Sequence, residues 1–117
     1  LGIDEISLGD TIGKATPDDV RNTLDLILSV HDANQFALHF HDTYNHALEN
    51  IRVGLEYGIS TFDSSAGGVG GCPFAPGASG NVSTGSVLNL CKELGIETGV
   101  DDKKLSAAAN FIQSYLN

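Results

Sequence analysis

The sequence predicts an α/β fold in which strands and helices alternate, of the kind that closes into a (βα)8 TIM barrel. Three short apolar runs are each followed by a longer segment whose apolar residues recur at helical spacing. Such an order predicts parallel strands joined by helical crossovers. A chain of 117 residues is shorter than the roughly 200 residues that an eight-stranded barrel needs, so we expect about half of a barrel.

The strands and helices are placed by their apolar pattern and by the residues that begin and end them. Strands are predicted at residues 3–8, 36–41 and 59–65, with a fourth near 80–83. Helices are predicted at residues 17–30, 47–57, 84–94 and 102–116. Thr16 and Asp101 are the expected N-caps, and Gly58 and Gly95 the expected stops. Together these elements form a single domain over residues 1–117.

Charge and composition exclude several classes of protein. The formal net charge of −9 has the wrong sign for binding nucleic acid or an anionic membrane surface. The chain has neither an apolar run long enough to span a bilayer nor the pattern of a signal peptide. Its two cysteines, Cys72 and Cys91, lie in different kinds of segment and do not suggest a disulfide framework. We therefore expect an unsecreted protein from a reducing compartment.

The motif "ALHFHDTY" places two histidines, His39 and His41, at the end of the second predicted strand. Alternate side chains of a strand project to the same face, so the two imidazoles can chelate one metal ion. Nitrogen and oxygen ligands without thiolate favour Mg²⁺ or Mn²⁺, although Zn²⁺ also accepts them. The alternative is a pair of hydrogen-bonded or exposed histidines. Further oxygen ligands are available at Asp10, Asp42, Asp63 and Asn81.

A glycine-rich segment follows the third predicted strand and carries a cysteine. It lacks the GK[ST] ending of a phosphate-binding loop, so a nucleotide site is not expected. Its glycines permit the backbone changes of a flexible lid over a pocket. A cysteine thiol there, Cys72, is either incidental or a proton donor or nucleophile. The flexible residues are expected to be Gly67, Gly68, Gly70 and Gly71.

Five motifs occur in an order and at a spacing that resemble one family closely. They are "EISLGDTIG", "HFHDTY", "DSS", "GGCPFAPGASGN" and "LGIETGVD". Together they resemble the C-terminal part of the hydroxymethylglutaryl-CoA lyase family of metal-dependent TIM-barrel lyases. The resemblance covers nearly the whole chain and implies that it supplies the last four βα units of the barrel and a C-terminal helix.

The resemblance also implies roles for particular residues. His39, His41 and Asn81 match metal ligands of the family, which implies a bound Mg²⁺ or Mn²⁺. Cys72 matches a catalytic residue on a mobile loop, and Asp10 matches an aspartate at the active site. The implied reaction is retro-Claisen cleavage of 3-hydroxy-3-methylglutaryl-CoA to acetyl-CoA and acetoacetate, a step of leucine degradation and ketone-body formation.

The same resemblance carries expectations about partners and compartment, and two alternatives stay open. An acyl-CoA substrate, a homodimer, and a location in the bacterial cytoplasm or the mitochondrial matrix are implied. The family's first strand, with its arginine and metal-binding aspartate, has no counterpart here, so the isolated chain is expected to be inactive. One alternative is a Claisen-type acyl-CoA synthase or aldolase of the same superfamily. The other is a non-catalytic half-barrel that requires a partner chain.

Overall fold

The structure is a computed structural model that describes residues 2–71 and 80–116 of the chain. Within these residues, one parallel sheet has the strand order β1 (Ile6–Asp10), β2 (Phe36–Phe40) and β3 (Thr61–Asp63). The helices are α1 (Pro17–Ile27), α2 (Ala47–Glu56), α3 (Thr84–Glu93) and α4 (Asp102–Leu116), and short 3-10 helices lie at Ala33–Gln35 and Ala66–Gly68. The predicted α/β class and parallel pairing are confirmed.

The predicted caps begin the helices as expected. The Thr16 hydroxyl accepts a hydrogen bond from the Asp19 N–H (3.3 Å), and the Asp19 carboxylate accepts one from the Thr16 N–H (2.9 Å). These bonds to the charged form hold the pKa of Asp19 below its usual value. At the start of α4, Asp101 accepts a hydrogen bond from the Lys104 N–H at 2.9 Å. Local side-chain chemistry therefore determines where both helices begin.

Four predicted elements were wrong in extent, and strand pairing explains three of them. The third strand, predicted at residues 59–65, comprises only Thr61–Asp63, the residues that pair with β2. The first strand begins at Ile6 because Ile6 pairs with Phe36, where β2 itself begins, and Ile3 before it is exposed. The fourth predicted strand consists only of isolated bridges at Asn81 and Ser83. The first helix ends at Ile27 and not near residue 30. The apolar pattern alone does not predict which residues pair with a neighbouring strand.

The hydrophobic core lies on one face of β2, which is the central strand of the described sheet. Phe36, Leu38 and Phe40 project to this face and are buried against α1 and α2. Leu24 and Ile51 are the most buried large residues that these helices contribute, each about 1% exposed. In the described parts of the chain, no helix combines the length and apolar character needed to cross a membrane.

The contact between α2 and the sheet requires a glycine at position 54. A Cβ built on Gly54 would lie 2.7 Å from Leu38 Cδ1 and 2.8 Å from Phe62 Cε1. Replacement by alanine is expected to lower the free energy of unfolding by about 1–3 kcal/mol, because packed side chains would have to shift.

Gly85→Ala is the matched control for Gly54→Ala, to be measured by urea denaturation of the same protein. A Cβ at Gly85 in α3 would meet no atom within 4 Å, so alanine should raise stability there by up to about 1 kcal/mol. Equal effects of the two substitutions would contradict the packing argument.

Candidate metal centre

The two histidines meet at the carboxyl end of β2, on the face opposite the core. His39 belongs to β2, and His41 lies just beyond it in an antiparallel bridge with Asn81. The His39 and His41 Nε2 atoms are 3.2 Å apart, and the ring centroids are 5.2 Å apart. Alternation along the strand produces this arrangement, because Leu38 and Phe40 occupy the core face. The structure therefore brings the predicted pair together on the face away from the helices.

The spacing of the two rings fits a shared metal ion. Two ligands about 2.1 Å from one octahedral ion, in adjacent positions, lie about 3.0 Å apart. The observed Nε2 separation of 3.2 Å is close to this value. The Nδ1 atom of His41 is buried and has no hydrogen-bond partner among the described residues. Both imidazoles are thus compatible with cis ligands of one ion through Nε2.

Asn81 is held next to the histidines by the backbone of residues 69 and 70. Its N–H donates to the Gly70 carbonyl at 3.3 Å, and its side-chain Nδ2 donates to the Val69 carbonyl at 3.2 Å. The Val69 carbonyl also accepts a hydrogen bond from the Ser65 hydroxyl at 2.7 Å. With Nδ2 engaged, the Oδ1 atom is the end of the carboxamide suited to bind a cation.

The three aspartates that were candidate ligands occupy different positions. Asp63 closes β3 opposite His39, and its Oδ2 lies 3.1 Å from His39 Nδ1, on the ring nitrogen that does not face His41. Asp42 accepts a hydrogen bond from the Ala47 N–H at 3.2 Å, at the start of α2.

Asp10 aligns with Phe40 in the sheet and so shares the core-side face of β1. Its Oδ2 accepts a hydrogen bond from the Ala15 N–H at 3.0 Å. The described residues contain no group of three His, Cys, Asp or Glu side chains that could hold a metal ion. Two imidazoles and the neighbouring Asn81 amide are the candidate ligands that the structure brings together.

The first part of the glycine-rich segment makes ordered contacts. The Gly68 N–H donates to the Ser65 carbonyl at 2.9 Å, and the Gly67 carbonyl accepts from Gln113 Nε2 of α4 at 3.1 Å. Gly70 has a φ of 110°, and a Cβ there would overlap Asn81 Nδ2. Flexibility of Gly67, Gly68, Gly70 and Gly71 stays a prediction. Cys72 lies outside the described residues.

Sequence reasoning missed the groups that support the site. The Ser65 hydroxyl, the Val69 carbonyl and the space above Gly70 hold Asn81 in place, yet none of them belongs to a ligand motif. Gly70 lies in a run of glycines, so the sequence does not indicate that the Asn81 side chain packs where a Cβ of residue 70 would lie. Asp63 was recognised as a candidate ligand, but its contact with His39 Nδ1 depends on strand register.

Comparison with known proteins places the chain among enzymes of one kind. A family model described as HMGL-like matches residues 1–112. The mitochondrial hydroxymethylglutaryl-CoA lyase of Arabidopsis thaliana is 53% identical over 116 residues, which are 99% of this chain and 25% of that protein.

Two solved structures are similar to the whole described fold. The HMG-CoA lyase from Brucella melitensis superimposes with a TM-score of 0.95 and 53% identity, covering 97% of this chain and 40% of that one. An HMG-CoA lyase from Acinetobacter baumannii, in complex with coenzyme A and 3-methylmalate, has a TM-score of 0.85 and 42% identity, covering 97% of this chain and 37% of that one. The chain thus spans a quarter to two fifths of the length of these relatives.

Gly70→Ala should weaken divalent-ion binding without removing any ligand. The added methyl group would displace the Asn81 carboxamide, and loss of a supporting contact typically costs about 10- to 100-fold in metal affinity. Calorimetric titration with Mn²⁺ measures the change, in a protein that extends this chain to the length of its relatives.

The adjacent glycine provides the matched control for Gly70→Ala. A Cβ at Gly71 would meet no atom within 4 Å, and Gly71 does not have a positive φ, so Gly71→Ala should leave the affinity unchanged. Equal affinities of the two variants, both folded by circular dichroism, would show that Gly70 does not position Asn81.

Proposed function

The chain belongs to the HMGL-like family, and on that premise we propose that it is the C-terminal part of a metal-dependent carbon–carbon lyase. The proposed reaction is cleavage of 3-hydroxy-3-methylglutaryl-CoA to acetyl-CoA and acetoacetate. The observation that carries the proposal is the pair of imidazole Nε2 atoms 3.2 Å apart beside Asn81. It occurs in a chain 53% identical to a protein named hydroxymethylglutaryl-CoA lyase.

The sheet supports the proposal that the chain is part of a TIM barrel. Within the described residues, β1 pairs with a strand on one side only, so its other edge has backbone N–H and C=O groups without a strand partner. The relatives are longer than this chain, which matches 25–40% of their length. We propose that preceding strands of a longer protein pair with β1 and complete the barrel. The active protein is then the longer one.

His39, His41 and Asn81 are the residues that would hold the metal ion, through two Nε2 atoms and the Asn81 Oδ1 atom. Such nitrogen and oxygen ligands suit Mg²⁺ or Mn²⁺. When bound, the ion would supply Lewis-acid chemistry, polarising substrate oxygens and lowering the pKa of the substrate hydroxyl. The missing strands would supply the remaining protein ligands.

The bond changes define what the protein must provide. The C3 hydroxyl loses its proton to a base, the C2–C3 bond breaks, and the electron pair passes to C2 as the enolate of acetyl-CoA. That carbon must then gain a proton, which restores the balance of atoms. We propose that the Cys72 thiol donates it, since a thiol with the ordinary cysteine pKa of about 8.5 is mostly protonated at neutral pH. This assignment depends on the GGCP motif in the sequence.

Asp10 is the second proposed active-site residue, and its contacts suggest that it acts through the loop after β1. Its carboxylate accepts a hydrogen bond from the Ala15 N–H at 3.0 Å. The Ala15 carbonyl accepts another from Asn50 Nδ2 of α2 at 2.8 Å. Residues 11–16 are therefore held to the sheet and to α2 at once. The role that this geometry supports is ordering of the loop at the mouth of the barrel.

Substrate class, assembly and compartment are further parts of the proposal. A relative that binds coenzyme A supports an acyl-CoA substrate. We propose a homodimer for the full-length enzyme, located in the cytoplasm of a bacterium or the mitochondrial matrix of a eukaryote. Its reaction would belong to leucine degradation.

The full-length protein is expected to release acetoacetate from 3-hydroxy-3-methylglutaryl-CoA in the presence of Mg²⁺ or Mn²⁺. EDTA should abolish the activity, and added Mn²⁺ should restore it. The 117-residue chain alone should be inactive, because the other ligands are absent. A coupled assay for acetoacetate measures each case. Absence of metal-dependent cleavage by the full-length protein would reject the lyase assignment.

Cys72→Ser is expected to lower kcat by about 10²- to 10⁴-fold, the usual contribution of a general acid. Cys91→Ala is the matched control, since Cys91 is buried in α3, and should leave kcat unchanged. The coupled assay compares both with the unmodified enzyme. Cleavage that is insensitive to Cys72→Ser would favour an aldolase or synthase of the same superfamily.

A further inference from the structure

We propose that Asp63 is a positioning residue that holds His39 in the Nδ1–H tautomer and so keeps Nε2 unprotonated for the metal ion. The inference rests on the proposed function, because it assumes that His39 is a ligand. Asp63 would act on the ion through His39 and would not bind the ion itself.

Strand register brings the two side chains together. Asp63 is the last residue of β3 and pairs with His39 of β2. Its Oδ2 atom lies 3.1 Å from His39 Nδ1, and the other ring nitrogen, Nε2, lies 3.2 Å from His41 Nε2. Both nitrogens of His39 therefore have a partner, and the two partners lie on different sides of the ring. The Asp63 carboxylate, which contacts Nδ1, is therefore not placed to bind an ion held at His39 Nε2.

The chemistry of the two groups determines the tautomer. An ionised carboxylate only accepts hydrogen bonds, so the His39 Nδ1 atom must carry the proton of the neutral imidazole. The Nε2 atom is then left with a lone pair, which is the form that binds a metal. A carboxylate in this position also raises the basicity of the ligand nitrogen. The Asp63 side chain is 50% exposed, so water also reaches its carboxylate.

His39 and His41 differ in which ring nitrogen carries the proton in the ion-free protein. If His39 Nε2 has only a lone pair, the 3.2 Å contact in the ion-free protein needs a proton on His41 Nε2. His41 Nδ1 is buried without a hydrogen-bond partner among the described residues, so no described contact holds a proton on that nitrogen. Ion binding would require the His41 proton to leave Nε2. His39 is thus preset for the ion, whereas His41 must change its protonated nitrogen.

The first test is a long-range ¹H–¹⁵N correlation spectrum of the histidine rings in the full-length protein, recorded without and with Mg²⁺. The His39→Gln variant identifies the His39 signals by their loss. We expect His39 to carry its proton on Nδ1 in both spectra and His41 to change tautomer on loading. A His39 ring protonated on Nε2 in the ion-free protein would overturn the inference without any substitution at Asp63.

The second test is calorimetric titration of the full-length protein with Mn²⁺ after substitution of Asp63. Asp63→Asn can offer an amide N–H to Nδ1 and so favour the other tautomer, while Asp63→Ala removes the partner altogether. Both variants should bind Mn²⁺ about 10- to 100-fold more weakly. The Asp63→Ala spectrum should also show His39 without a single preferred tautomer.

The control removes the same charge elsewhere on the surface. Asp4 is exposed and precedes β1, so Asp4→Asn should leave both the Mn²⁺ affinity and the His39 tautomer unchanged. Unchanged affinity and tautomer in folded Asp63→Ala would refute the role of Asp63 while leaving the lyase proposal intact. If the unmodified full-length protein binds no divalent ion, the proposed function itself is rejected.

Discussion

The alternation of side chains along β2 is the constraint on which the rest of the structure depends. Phe36, Leu38 and Phe40 are buried against the helices, so the residues between them must project to the other face. His39 and His41 are directed there by the same burial that holds the sheet on α1 and α2. A shift of one residue in β2 would place imidazoles in the core and phenylalanines at the site. The alternation of side chains along β2 therefore determines both the core packing and the position of the two histidines.

Two neighbouring segments complete the site at the end of β2. The strand β3 ends at Asp63, whose carboxylate contacts the Nδ1 atom of His39. The chain returns at Asn81, which bridges to His41 through the backbone just beyond β2. The Asn81 carboxamide is oriented by the Val69 carbonyl and by the absence of a side chain at Gly70. The proposed ligands are therefore held by groups outside the ligand set, which would reduce the reorganisation needed for a cation to bind.

The carboxylates at the ends of the strands differ in what they hold. Asp10 orders the loop after β1 through Ala15, and Asp42 holds the start of α2 through Ala47. Asp63 contacts a histidine ring, His39. Of three similar aspartates at the same edge of one sheet, two thus bind backbone N–H groups and the third contacts an imidazole, whose orientation we propose that it sets. Their positions in the sequence alone do not separate these uses.

Much of the fold was predictable because local patterns determine it. Apolar spacing identified the four α-helices and three strands of the described residues but neither of the short 3-10 helices. Thr16 and Asp101 identified two helix starts through hydrogen bonds within three residues. The limits of β1 were not predictable, because they depend on where β2 begins, about thirty residues later. The bridges of Asn81 and Ser83 likewise depend on distant partners.

By itself, the sequence determined the α/β class, the parallel order and the projection of His39 and His41 to one face, since each follows from spacing along the chain. Only the tertiary structure decided that their Nε2 atoms face each other at 3.2 Å, that Asp63 contacts His39, and that Asn81 needs the space at Gly70. The physical reason is that strand register and side-chain packing bring together residues far apart in sequence, and no local pattern encodes the distance between them.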